Sequence, residues 1–299
     1  MKKMECMKKI GTLVLVGAMM AAAVAGCGSA TEVTAEKETE AATETATETA
    51  EPEAAAEAGN EASEAGSAVE AIKERGVLRV GTEDSALGFG YLNPETGEWE
   101  GLEADLGRLI AEELGVDVEF TAVATSTRGP LIDSGDLDMV AATFTITDER
   151  KLSYDFTEPY YVDAQSVIVL KDSGITTIDD FDGKKIAMSA GGTEKDSIEA
   201  IADANIEFVE FSDFSEAKLA LSAGTVDGFA ADSSILFSYI DDNTQYIETK
   251  FSPQPYGIAT KKGSDFSTYV NDLIVKWTAD GTIDKLIEEN GIQPSYSEE

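Results

Sequence analysis

A strand, a helix and a second strand follow one another between Val77 and Phe120, and this succession constrains the fold more than any other feature of the chain. Val77-Leu78-Arg79-Val80-Gly81 is a short, largely apolar run that ends on glycine. Leu102, Leu106, Leu109, Ile110 and Leu114 then recur at helical spacing, and Gly115 supplies a helix stop. Val116-Asp117-Val118-Glu119-Phe120 alternates apolar and polar, as a strand with one buried face does. The same alternation of elements continues downstream. Residues 138–143, 166–170, 185–188 and 226–230 predict strands. Residues 198–202, 217–223, 270–277 and 282–289 predict helices, and Gly291 follows the last of them. Such a chain belongs to the α/β class, with mostly parallel sheets expected. Ligands of these sheets sit at the carboxyl ends of the strands.

Composition removes whole classes of chemistry. The chain has no histidine and two cysteines, Cys6 and Cys27. Without imidazole there is no Ser-His-Asp nucleophile and no histidine-ligated zinc. Cys6 lies in the N-terminal leader and Cys27 directly follows it, so the folded part is expected to hold no disulfide and no thiolate metal site. Asp179 to Gly183 does not form a calcium loop, because Ile178 and Ser189 stand at its first and twelfth positions. No metal or cofactor is expected. The formal net charge of −36 disfavours nucleic acid and anionic lipid as partners.

The N-terminus reads as an export signal. Lys2, Lys3, Lys8 and Lys9 precede an apolar run from Ile10 to Val24. The run is short for a spanning helix, which needs roughly 20 apolar residues. Val24-Ala25-Gly26-Cys27 resembles a lipobox, which implies removal of residues 1–26 and a diacylglyceryl group on Cys27. Two acyl chains hold a protein stably on a membrane. Residues 28–67 are nearly all Ala, Glu, Thr, Ser and Gly, with no aromatic residue, so 27–67 is expected to be a disordered acidic tether. Globular composition begins at Ala68.

Several motifs in the globular part carry a family resemblance. They are Gly101-Leu102-Glu103-Ala104-Asp105-Leu106, Thr127-Arg128-Gly129-Pro130-Leu131, and Ala142-Thr143-Phe144-Thr145-Ile146-Thr147-Asp148-Glu149-Arg150-Lys151. Tyr154-Asp155-Phe156-Thr157-Glu158-Pro159-Tyr160-Tyr161, residues 179–187 and Gln254-Pro255-Tyr256-Gly257 follow in order. Together they resemble the solute-binding proteins of polar amino acid ABC importers, family 3. The resemblance implies two α/β lobes, 70–163 plus 254–299 and 164–253, joined by two crossover hinges around a ligand cleft. It implies a monomer, held by Cys27 at the outer face of a bacterial membrane, that hands a free polar L-amino acid to ABC permease subunits.

The resemblance also implies site residues. A ligand α-carboxylate wants a planar bidentate cation, and Arg150 supplies one. Thr145 adds a hydroxyl and an N–H, and the Thr193 N–H in Gly191-Gly192-Thr193-Glu194 points from a helix start. Asp232 and the Thr143 carbonyl are expected to take the α-ammonium. Taken alone, Arg150 reads as a solvated helix start and Asp232 as a helix N-cap. Glu83 and Arg128 are expected at the ligand side chain, where Glu83 either pairs with Arg128 or hydrogen-bonds an amide. Ala86 and Thr125 stand where basic-amino-acid binders carry an aromatic clamp. Phe89 and Tyr256 are either its substitutes or core packing. Ser189 and Ala231 line the same pocket. The cargo expected is glutamate, aspartate, glutamine or asparagine. An alternative is a cyclohexadienyl dehydratase on the same fold, with Glu83 as its general acid.

Overall fold

The computed structural model describes residues 66–292. The leader, Cys27 and the tether up to residue 65 lie outside the described residues, as do 293–299. The first helix begins at Ala68, and Ser67, expected in the tether, is already part of it as its cap. Ser67 caps α1 (Ala68–Arg75) by accepting the Glu70 N–H at 3.1 Å, and Gly76 closes it at φ 75°. The first strand, β1 (Val77–Thr82), is followed by a small antiparallel sheet of β2 (Ser85–Ala86), β3 (Gly90–Leu92) and β4 (Trp99–Glu100). Helix α2 (Leu102–Leu114) buries Leu102, Leu106, Ile110 and Leu114 along one stripe and ends at Gly115, φ 71°. β5 (Asp117–Ala122) then pairs parallel with β1, from Val77↔Asp117 to Thr82↔Ala122.

Next come α3 (Arg128–Asp133), β6 (Met139–Val140), α4 (Arg150–Ser153) and β7 (Tyr154–Phe156). The long β8 (Tyr161–Leu170) opens a second sheet with β9 (Lys185–Ser189), α5 (Glu194–Glu199), β10 (Glu207–Phe211), α6 (Phe214–Ser222), β11 (Gly228–Asp232), α7 (Ser233–Phe237) and β12 (Thr244–Tyr246). The chain returns through β13 (Phe251–Tyr256) to β14 (Ala259–Lys261), and α8 (Asp265–Ala279) and α9 (Thr282–Glu289) close it.

The strand order is β5-β1-β6-β14-β7 in one sheet and β10-β9-β11-β8-β12 in the other. The fold is α/β with two large sheets beside the small β2-β3-β4 sheet, but the large sheets are not mostly parallel. Each is parallel across its first three strands and antiparallel beyond them. The parallel neighbours are reached through crossovers that hold helices, α2 and α3 in the first sheet and α5 and α6 in the second. β8 shows the burial logic of its sheet: Val167 and Val169 pack with Phe181 and Ile186 on one side, Ile168 with Phe214 and Phe229 on the other.

The two passages between the sheets lie side by side. Tyr161, Val162, Asp163 and Ala164 of β8 pair antiparallel with Tyr256, Pro255, Gln254 and Pro253 of β13. The expected lobe boundaries, 163/164 and 253/254, face each other across this ladder.

Candidate functional site

Phe144 organises the cationic half of the site. Thr143 before it adopts φ 45°, and its N–H donates to Glu103 Oε1 at 2.5 Å. Arg128, at the start of α3, places its guanidinium carbon 4.0 Å from the Phe144 ring centroid, and Arg150, at the start of α4, places its own at 4.9 Å. Arg128 Nη1 donates to the carbonyls of Ala142 (2.7 Å) and Thr143 (3.3 Å). Arg150 is not a solvated helix start. Its Nη1 donates to the Thr145 carbonyl at 2.8 Å and its Nη2 to the Gly191 carbonyl at 3.0 Å, so it ties the segment before α4 to the segment after β9. Burial, helped by the like charge of Arg128, lowers the Arg150 pKa to about 10.

The acidic half is buried as well. Glu83, directly after β1, accepts from the hydroxyls of Thr143 (3.3 Å) and Thr125 (3.4 Å) and lies 3.9 Å from Arg128 Nη1, while its Oε2 has no partner. The Glu83–Arg128 pair expected as one alternative is therefore formed. Burial pushes the Glu83 pKa up to about 8 against the pull of Arg128. The folded state thus keeps a proton that the unfolded chain loses near the ordinary value of 4.5, and stability falls as pH rises between the two. Glu83→Gln should gain stability over the wild type, by ~2–4 kcal/mol, as pH goes from 5 to 9. Urea denaturation at both pH values measures it, and a pH-independent difference refutes it.

Asp232 sits at the backbone N-cap position of α7, yet its side chain makes no cap hydrogen bond. Its Oδ2 accepts from the Tyr256 hydroxyl at 2.5 Å and its Oδ1 has no partner. Burial, followed by the charges of Asp163 and Glu194, holds its pKa well above the carboxylate range. The Thr193 hydroxyl accepts from Gln165 Nε2 (2.8 Å) and donates to Gln254 Oε1 (2.9 Å). Gln165 and Gln254 stand on the paired passages, so these set the position of Thr193.

Arg128, Thr143, Thr145, Thr193 and Asp232 line one small cavity of about 10 Å³. Arg150 borders an open depression beside it, with Thr147, Tyr154 and Thr193. A larger cavity of about 260 Å³ meets the small one at Thr125 and Phe214, and Glu83, Ser85 and Ser189 line it. Ser189 thus shares this cavity with Glu83. Phe89 is core: it is 1% exposed and edge-on to Tyr161 (5.2 Å) and Tyr256 (5.6 Å). Of the two alternatives for Phe89, these contacts are those of core packing, on tyrosines of the two passages. Glu194 is the residue that sequence reasoning missed. It lines the small cavity and is 5% exposed. Its only signal was adjacency to Thr193, because charged residues are ordinarily solvated.

The model of the bacterial extracellular solute-binding proteins, family 3, matches residues 78–291. The chain is 34% identical over 227 residues to the ABC transporter glutamine-binding protein GlnH of Bacillus subtilis, covering 73% of this chain and 82% of that one. It is 32% identical over 268 residues to the glutamine-binding protein of Geobacillus stearothermophilus, covering 88% and 95%. Among solved structures, an ancestral arginine-binding protein bound to glutamine superposes with a TM-score of 0.67 at 34% identity, covering 72% of this chain and 97% of that one.

Proposed function

The chain belongs to the bacterial extracellular solute-binding proteins of family 3, and from that premise we propose that its cargo is L-glutamine, held between the two sheets and released to an ABC permease. It is a binding component of amino acid import that works outside the cytoplasm, and it is not an enzyme. The dehydratase alternative is set aside, because the relatives it matches are transport proteins. In this reading 70–163 plus 254–299 and 164–253 are the lobes and the β8–β13 ladder is the hinge. Cys27 carries the lipid anchor, and the protein acts as a monomer. Arg150, Thr145 and Thr193 take the α-carboxylate, and Asp232 with the Thr143 carbonyl takes the α-ammonium. Ligand binding then favours the closed form, since only there are all these groups satisfied together.

One observation carries the choice of glutamine. Glu83 offers an unpartnered, buried Oε2 at the larger cavity, where the cargo side chain would lie. An amide NH₂ can donate to it. A second carboxylate there is repelled whenever Glu83 is ionised. Calorimetric titration with glutamine, glutamate, asparagine, aspartate, arginine and cystine tests this. Glutamine should bind most tightly, about 10-fold or more over glutamate at pH 8.5, in keeping with the worth of a hydrogen bond to a charged group. The gap should narrow at pH 6, where Glu83, with its pKa near 8, is protonated and can donate to the carboxylate. Tighter binding of glutamate at pH 8.5, or no response to any of the six, defeats the assignment.

A further inference from the structure

Glu194 has no part in the reading above, yet it occupies the middle of the site. Its side chain folds back over Gly192, into space that a β-carbon would fill: a Cβ on Gly192 would lie 1.9 Å from Glu194 Oε2. The backbone N–H groups of Glu194 itself and of Thr193, and the charges of Arg128 and Arg150, act on its carboxylate. Its Oε2 is buried without a partner. The Thr193 N–H and the Arg150 guanidinium are the groups expected to hold the α-carboxylate of the cargo. The cavity left beside them, about 10 Å³, is on the scale of a single water.

We infer that Glu194 is a resident competitor of the cargo, its carboxylate holding the place of the α-carboxylate so that an amino acid binds only by displacing it. The inference rests on the reading that the cargo is a free amino acid. Binding becomes an exchange of one carboxylate for another at the same donors, and the exchange sets both affinity and release. An occupant tethered in the chain lowers affinity for every amino acid alike, because the α-carboxylate is common to all. It also supplies a release route, since the returning side chain takes up the donors that the departing cargo frees.

The competition depends on charge. Arg128 of α3, Arg150 of α4 and Asp232 at the end of β11 face Glu194 from the elements around it. Burial pushes the Glu194 pKa up to about 7. Above that pH the ionised side chain is drawn to the guanidinium groups. Below it the neutral acid competes poorly. Neutralising the residue should therefore help binding at alkaline pH and make little difference at acid pH.

The test is calorimetric titration of the full chain and of its Glu194→Gln and Glu194→Ala variants with the twenty amino acids, at pH 8.5 and pH 6. Both variants should bind glutamine about 10-fold more tightly than the wild type at pH 8.5, with a ratio near 1 at pH 6. Unchanged or weaker binding by both variants at pH 8.5, or a gain that does not vary with pH, overturns the inference while leaving the cargo assignment standing. Another amino acid bound in place of glutamine, and tightened in the variants, overturns the cargo assignment alone. No binding to any of the three proteins overturns both. Melting curves without ligand identify a variant that fails to fold, and the other variant then carries the test.

Discussion

Arg150→Ala should lower glutamine affinity by about 30-fold to 3,000-fold, which corresponds to the 2–5 kcal/mol typical of truncating one member of a buried, hydrogen-bonded charge pair. The unliganded protein should melt within a few degrees of the wild type. Two features of the site separate these effects. Among the described residues the Arg150 guanidinium donates to two backbone carbonyls, those of Thr145 and Gly191, and it borders an open depression from which water can reach those carbonyls after truncation. The loss to the fold is therefore about one ordinary hydrogen bond per carbonyl. The loss to the cargo is its planar cation. Arg150→Lys should fall between the two proteins, because an ammonium supplies charge but not the bidentate fork. Calorimetry with parallel melting curves measures both quantities, and near-wild-type affinity in Arg150→Ala refutes the placement of the α-carboxylate.

What the sequence showed of this arrangement, and what it hid, follows from where each contact lies along the chain. Local signals were sufficient for α2 and α9, whose apolar stripes stop at Gly115 and just before Gly291. The strand expected over 138–143 is only Met139–Val140. The apolar run continues past it, but Thr143 turns to φ 45° to deliver its N–H to Glu103, forty positions away, and periodicity does not register such a contact. The helix expected over 198–202 begins instead at Glu194, because its first turn is polar and apolar spacing starts only at Ile198. β13 carries Pro253 and Pro255, which argue against a strand, yet it pairs with β8 among the named strands, and the prolines sit where a missing N–H is tolerated. Within the site, the motif containing Phe144 pointed to Arg150, while the second guanidinium over the same ring, Arg128, was assigned to the ligand side chain. The carboxylates explain the difference. A buried Glu83, Glu194 or Asp232 looks in sequence like any solvated acid, and only the packing of two sheets around them makes them costly.

That packing predicts a second large effect, on stability. Arg128→Met should destabilise the unliganded protein by about 3–5 kcal/mol at pH 8, the range for removing one partner from a buried ionic group. Arg128 is 3% exposed, and its charge acts on Glu83, Glu194, Asp232 and Glu103. Without it Glu194 and Asp232 keep Arg150 nearby, while Glu83 and Glu103 lose the guanidinium whose charge acts on them. Their answer is to take up protons, which fixes the sign of the pH dependence. Burial holds the folded-state pKa of Glu83 near 8 and those of Glu194 and Glu103 near 7. At pH 5 all three are neutral in the folded protein and need no cation, so the loss should shrink to about 1–2 kcal/mol, mostly that of the bonds to the Ala142 and Thr143 carbonyls. Adding Glu83→Gln to Arg128→Met should recover about 1–2 kcal/mol at pH 8, because it removes a carboxyl that the folded protein must otherwise keep protonated there. Urea denaturation of the single and double variants at pH 5 and pH 8 decides the matter. A loss below about 1 kcal/mol at pH 8, or an equal loss at both pH values, would mean that Arg128 serves the cargo alone. A larger loss at pH 8 makes it the counter-charge that lets a binding site hold this many acids away from water.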